Sequence, residues 1–358
     1  MTFLEIAERI GARLCRDAVW YQGQCNWTAD FLDGESIAHG ALGPELYDGS
    51  SGIALFLWRL AELTGERIFR VTAEAALRET TLSGCGLYSG GLGVLSVAAE
   101  IRPRFDVGTL LVQLAEPDRS KLDLMDGSAG AIAVLLRFGL HEAAARHGDL
   151  LIEEASRADQ GWSWRTIDPS RNLTGFSHGA SGIAWALLEL YHATGEQRFR
   201  TAALEALRYS RQADPSDPVS WCHGSAGIGF CRLRAWQILG DEELLADARA
   251  ALQTTRDQSP YLTNFSLCHG QAGNADLMIY ASELLGEESW LSLAESVAQE
   301  GFDRFEKRRI PWPCGLPDAN ETPDLMLGLA GIGYFYLRLA APAKIPSVLL
   351  PQIKTALQ

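Results

Sequence analysis

A short pattern, Gly-x-x-Gly followed by an apolar run, returns seven times along the chain and leaves few folds open to it. It reads GSSGIALFLW from Gly49, GGLGVLSVAA from Gly90, GSAGAIAVLL from Gly127 and GASGIAWALL from Gly179. It continues as GSAGIGFCRL from Gly224, GQAGNADLMI from Gly270 and GLAGIGYFYL from Gly328. The first glycines are 41, 37, 52, 45, 46 and 58 residues apart. A period of that size marks one supersecondary unit used repeatedly. After the glycines the pattern predicts an apolar helix of three to four turns. A glycine at the expected position past the helix end follows in Thr64-Gly65-Glu66, Thr194-Gly195-Glu196, Leu239-Gly240-Asp241 and Leu285-Gly286-Glu287. An amphipathic helix comes next, as in ERIFRVTAEAALRE and EQRFRTAALEALRYSR.

The first helix of each pair is apolar nearly all round and should be buried. The second is half polar and should face water. Little of the alternation typical of strands is present. An open solenoid of such pairs needs polar caps, yet the first and last copies are as apolar as the middle ones. The expectation is an all-α fold, a closed seven-fold α/α toroid of inner and outer helices. It should form a single domain over residues 1–358, with a helical lead-in at 1–40 and the repeats at 41–358.

The glycines themselves are read as structural, permitting positive φ and close backbone approach where chains converge. No Gly-x-x-x-x-Gly-Lys-Ser/Thr pattern suggests a phosphate cradle. The residues just before them differ more. Immediately before the first glycine stand Asp48, Ser89, Asp126, His178, His223, His269 and Leu327. One position earlier, Cys222 and Cys268 share a slot. Equivalent slots should gather around one mouth of a ring, which brings His178, Cys222, His223, Cys268 and His269 into neighbouring copies.

Zinc favours thiolate and imidazole, and catalytic sites use three protein ligands and one open position. Cys222, Cys268 and His269 meet that requirement. His223 is an alternative or fourth ligand, but a fourth would close the site. Such a metal can bind an incoming thiol and hold it as thiolate near neutral pH. Two thiolate ligands make the ion a poorer Lewis acid, which favours thiolate transfer over zinc-hydroxide hydrolysis. A nearby histidine can act as acid or base. The seven cysteines are an odd count and do not suggest a disulfide framework. Cys231 belongs to an inner helix, Cys15 to the N-terminal helix, and Cys25, Cys85 and Cys314 to loops. His39, His141, His147 and His192 read as surface or capping residues.

A net charge of −14 weighs against a nucleic-acid partner. The start, MTFLEIAERIGARLCRD, is an amphipathic helix without the order of a signal peptide. No apolar run is long enough to span a membrane. The expected location is the cytoplasm.

The segments SWCHGSAGIG, SLCHGQAGNAD, GFSHGASGIAWALLEL, LYDGSSGIALFLWRL and DLMLGLAGIGYFYLRLA followed by PSVLL resemble the lanthionine synthetase C-like family. They are most similar to the cyclase half of class II bifunctional lanthipeptide synthetases, and the resemblance runs from about Asn26-Trp27 to the C-terminus. It implies a seven-fold α/α toroid with one Zn²⁺. It implies addition of peptide cysteine thiols to dehydroalanine or dehydrobutyrine, giving thioether rings. It implies Cys222, Cys268 and His269 as metal ligands and His178 as acid/base. Asp123 matches an acidic residue implicated in catalysis, with Asp126 the alternative, and His223 follows the first zinc cysteine as in class II enzymes. Stand-alone class I cyclases carry Arg four residues before that cysteine and Tyr after it, where this chain has Pro218 and His223. The dehydratase half is not within these residues, and Met1 with its well-formed helix suggests a natural start. A dehydrated precursor peptide and a separate dehydratase are therefore the expected partners. Two rival readings stay open at this point. One is a zinc prenyltransferase-like α/α barrel, and the other a non-catalytic toroidal scaffold for a modified peptide or a dehydratase.

Overall fold

A computed structural model describes residues 1–33, 36–77, 82–102, 107–213, 217–316, 320–351 and 353. In chain order its first elements are α1 (Phe3–Asp17), β1 (Val19–Tyr21), β2 (Gln24–Asn26), β3 (Thr28–Asp33), β4 (Ser36–Ala41), α2 (Ser50–Thr64) and α3 (Arg67–Ala76). Then come α4 (Gly91–Ile101), α5 (Gly108–Leu114), α6 (Ser128–Arg137), α7 (His141–Glu153), β5 (Ser156–Ala158) and β6 (Gly161–Ser163). The last are α8 (Ala180–Thr194), α9 (Gln197–Ser210), α10 (Ser225–Leu239), α11 (Glu242–Gln258), α12 (Gln271–Leu285), α13 (Glu288–Gly301) and α14 (Leu329–Ala340). The amphipathic helix expected over 66–79 is observed as α3, and Arg78 and Glu79 lie outside the described residues.

The chain divides into two compact units, residues 1–81, 97–105 and 259–349 forming the first and residues 82–96, 106–258 and 350–358 the second. In the first unit α2 packs on α3, α12 on α13 and α1 on α14. In the second α6 packs on α7, α8 on α9 and α10 on α11. The inner helices are buried almost throughout; in α8 every residue from Ala180 to Leu190 is inaccessible. The partner of α14 comes from the opposite end of the sequence. The segment expected as a lead-in thus contains an outer helix, whose stripe of Ile6, Ile10 and Leu14 is buried and whose first turn is closed by a Thr2–Glu5 capping box. Three antiparallel hairpins, β1–β2, β3–β4 and β5–β6, sit in the connections. Cys25, expected in a loop, is the buried centre of β2.

The two glycines of each repeat act through space rather than through positive φ. The first has an extended backbone; Gly224 has φ −119° and ψ −160°. A Cβ on the second would run into the carbonyl oxygen six residues earlier, Trp221 for Gly227 and Phe176 for Gly182. Positive φ belongs instead to the glycine after the inner helix, as at Gly195 with φ 75°. Its N–H donates to Tyr191 and ends the helix in the expected way.

A second periodic feature lies ten residues after the first glycine, where Arg59, Glu100, Arg137, Glu189, Arg234, Tyr280 and Arg338 stand. Charges of opposite sign in successive copies meet inside each unit. Arg59 pairs with Glu100 at 2.7 Å in the first, and Arg234 with Glu189 at 2.6 Å in the second. Arg338 is buried and pairs with Asp276 of α12. A buried guanidinium needs such partners, and removing one leaves an uncompensated charge.

His147 departs from its expected surface role. It is fully buried in α7, accepts from the Ser128 hydroxyl at Nδ1 (3.0 Å) and donates from Nε2 to the Ala115 carbonyl (3.1 Å). The amphipathic face of α7 turns position 147 inward, and the two partners keep the ring neutral. His39 is exposed beside Asp30, and His141 and His192 are exposed at the start of α7 and the end of α8. Burial lowers the His147 pKa to about 4, below the 6.5 of a free imidazole. The unfolded chain then binds the proton first, so stability is full above pH 6.5 and falls as pH drops towards 4. Urea titrations at pH 7 and pH 5 should show wild type losing about 2 kcal/mol more than His147→Gln between the two.

Candidate active site

The loops before the inner helices are joined by backbone hydrogen bonds at matching positions. In the second unit Tyr88 N–H donates to Met125 O (3.0 Å) and Ser177 N–H to Cys222 O (3.0 Å). In the first, Cys268 N–H donates to Met326 O and Met326 N–H to Tyr47 O, both at 2.9 Å. All seven residues stand two before their copy's first glycine, so slots equivalent in sequence are equivalent in space within each unit. In four copies the side chain four before that glycine closes the turn. The Ser220 Oγ accepts from His223 N–H (3.3 Å), Ser266 Oγ from His269 N–H (3.4 Å) and Asp324 Oδ1 from Leu327 N–H (2.7 Å).

Asp123 fills the same turn position in its copy. Its Oδ1 accepts from the N–H groups of Met125 (3.0 Å) and Asp126 (3.1 Å). That leaves Oδ2 for His178 Nδ1, 2.6 Å away. A buried carboxylate can only accept here, so Nδ1 carries the proton and Nε2 is left with its lone pair. The His178 side chain is 20% exposed while that of Asp123 is 3% exposed, so the imidazole is reachable and its orienting partner is not. The His223 ring lies 5.9 Å from the His178 ring. Asp126 pairs instead with Lys121 at 2.9 Å. In this second unit Cys222 is half-buried, with its thiol near Ser220 Oγ (3.5 Å).

In the first unit His269 Nε2 lies 2.8 Å from the Gly315 carbonyl. A carbonyl accepts, so Nε2 is protonated and Nδ1 is the nitrogen that keeps a lone pair. Cys268 is buried, and its sulfur accepts from the Tyr47 hydroxyl at 2.9 Å. His269 and Tyr47 both line a cavity of about 660 Å³ with Phe31, Leu42, Asp48 and Asp324. Burial raises the Asp324 pKa to about 6 and moves Asp48 upward as well.

Cys268 and His269 of the first unit can each offer one ligand atom to a metal, and so can Cys222 of the second. The family model for lanthionine synthetase C-like proteins matches residues 40–350. The chain belongs to the lanthionine synthetase C-like family. Its structure is similar to that of nisin cyclase, with 15% identity and a TM-score of 0.68 over 97% of this chain and 96% of that one. It is also similar to a GH76 α-mannanase of Bacteroides thetaiotaomicron, with 11% identity and a TM-score of 0.55 over 96% and 97% of the two chains. The Lin0763 protein of Listeria innocua gives 11% identity and a TM-score of 0.54 over 96% and 98%. No curated protein sequence matches. These likenesses show the fold, the all-α toroid of helix pairs. Among the described residues no helix is long and apolar enough to cross a membrane.

Within this member of the lanthionine synthetase C-like family, Cys85, Cys231 and Cys314 are poor thiolates. Burial pushes Cys231 and Cys314 up to about 12 and Cys85 up to about 11. Sequence reasoning missed Tyr47 and Asp324. Each carries a signal in hindsight, Tyr47 sharing the slot of the two cysteines and Asp324 that of Asp123. In metal-free native protein at pH 8, iodoacetamide should label Cys222 well before Cys231 and Cys314, an order that peptide mapping reads.

Proposed function

We propose that this protein is a zinc-dependent lanthipeptide cyclase, adding peptide cysteine thiols to dehydroalanine or dehydrobutyrine residues of a dehydrated precursor peptide. The observation that carries this reading is the recurrence of Cys-His-Gly at Cys222 and at Cys268–His269 in a chain of this family. Two thiols and an imidazole form a donor set that suits zinc. Bound there, the ion would stabilise the substrate thiolate at neutral pH. A helix-pair toroid alone would not point to this chemistry, since the same architecture occurs in a mannanase.

The protein's own groups supply the rest. His178 Nε2 takes the thiol proton while Asp123 holds the opposite side of the ring. The sulfur attacks the β-carbon of the dehydro residue, forming a C–S bond and shifting the Cα=Cβ electrons towards the neighbouring carbonyl. The α-carbon then needs one proton, which His178 returns, or His223 in its place. Nothing leaves, so product and substrate have equal mass. The cavity beside His269 offers room for the peptide, with an apolar wall at Phe31 and Leu42 and a polar one at Asp48 and Asp324. A separate dehydratase would generate the substrate from serine and threonine residues.

The deciding experiment combines metal content with thiol counting. Wild type should hold one zinc per chain and consume free peptide thiols, scored by alkylation because cyclisation leaves the mass unchanged. Cys268→Ala should lose both properties. Cyclisation undiminished in Cys268→Ala would overturn the proposal and favour a scaffold. Asp123→Asn should retain zinc but presents an amide to Nδ1 and reverses the imidazole tautomer. Its single-turnover rate should fall by roughly 100-fold or more.

A further inference from the structure

The Tyr47 hydroxyl lies 2.9 Å from the sulfur of Cys268. Tyr47 belongs to the loop before α2 and Cys268 to the loop before α12, both in the first unit. Two features make this more than a passing contact. The backbone of Tyr47 is held by the ladder, its carbonyl accepting from Met326, while Met326 accepts from Cys268. The phenol and the thiol are thus fixed by the same short chain of hydrogen bonds. Tyr47 and His269, the other proposed ligand of this unit, also line the same cavity.

Resting on the zinc reading above, we propose that Tyr47 is a positioning residue that tunes the metal through Cys268. A phenol donating to a thiolate withdraws electron density from the sulfur. Cys268 would then give less charge to a bound ion, which would leave a substrate thiol held there more acidic. The thiol of the peptide is consequently deprotonated at lower pH than a plain two-thiolate, one-imidazole set would allow. The tyrosine offsets part of the loss of acidity that two thiolate ligands bring. No bond forms or breaks at Tyr47, and its proton stays on oxygen.

The test compares wild type with Tyr47→Phe, which removes one oxygen and keeps the ring in its place. Both are loaded with Co²⁺, and the sulfur-to-metal charge-transfer absorption is recorded. Without the hydrogen bond the thiolate gives up its electron more readily, so the band should move to lower energy in Tyr47→Phe. With zinc, the acidic limb of the cyclisation rate profile should rise by about one pH unit, lowering the rate below that limb roughly tenfold. Thermal melts of the metal-free proteins check that the fold is kept. An unchanged band and an unchanged acidic limb in a cobalt-loaded, folded Tyr47→Phe would overturn the role of Tyr47 and leave the zinc reading intact. Failure of wild type to bind Co²⁺ or Zn²⁺ would overturn the zinc reading itself, and this inference with it.

Discussion

The structure depends on one close contact made in every repeat. The backbone of the loop preceding each inner helix folds back over the helix's first turn, so that a carbonyl oxygen sits where a Cβ would stand on the second glycine. Any side chain there would force loop and helix apart. Because the contact involves backbone only, it leaves the residues just before the glycines free to vary. The buried residue that supplies the carbonyl is apolar in every copy, namely Leu46, Leu87, Leu124, Phe176, Trp221, Leu267 and Leu325. The next two positions are Tyr-Asp, Tyr-Ser, Met-Asp, Ser-His, Cys-His, Cys-His and Met-Leu. Scaffold and chemistry are thus separated by a single residue along the chain.

The ladder between neighbouring loops turns this local separation into a site. Hydrogen bonds from one slot to the same slot in the next copy keep side chains at one level within a unit. The one irregular rung is instructive. Where Asp123 closes the turn, its carboxylate takes the N–H of Met125, and the N–H of Leu124 donates to Ser177 O in its stead (3.1 Å). The acid therefore alters the ladder where it reaches His178. A serine in that turn position, as at 220 or 266, satisfies the loop but has no second oxygen to offer a neighbour. Asp123 meets both demands with its two oxygens.

Much of the fold was legible because the repeat is written in glycines and apolar runs, and both report directly on backbone packing. The candidate metal ligands stood out in the sequence because cysteine is rare and its recurrence in one slot is conspicuous. Other features escaped for physical reasons. The partnership of α1 with α14 joins opposite ends of the chain, and no local pattern encodes it. The short hairpins have too few residues for alternation to register. His147 looked like a surface residue because a lone histidine on a half-polar helix gives no sign of which face it occupies. The alternating Arg and Glu ten residues after the glycines was visible, but in one dimension it resembles solvated charge. Only spatial adjacency of the copies shows it to be a set of internal pairs. Tyr47 was hidden in a different way, since its hydroxyl reaches a residue 221 positions away, and only the slot it shares with Cys268 hints at the contact.

The departures from the class I pattern can be argued from the same geometry. Position 218 is a proline whose carbonyl oxygen lies where a Cβ on Gly224 would go, so the backbone there serves the glycine contact and the pyrrolidine ring offers no charge. An arginine at that point could hold a developing negative charge; this chain must find that help elsewhere. His223 occupies the next variable position, its ring near His178. Two imidazoles of which one is oriented by a buried carboxylate are inequivalent. Asp123 holds the Nδ1 edge of His178 at 2.6 Å and so fixes which of its nitrogens carries the lone pair. Under the proposed mechanism the positive charge that the class I pattern carries permanently would be transient here, present only while His178 holds the proton taken from the thiol.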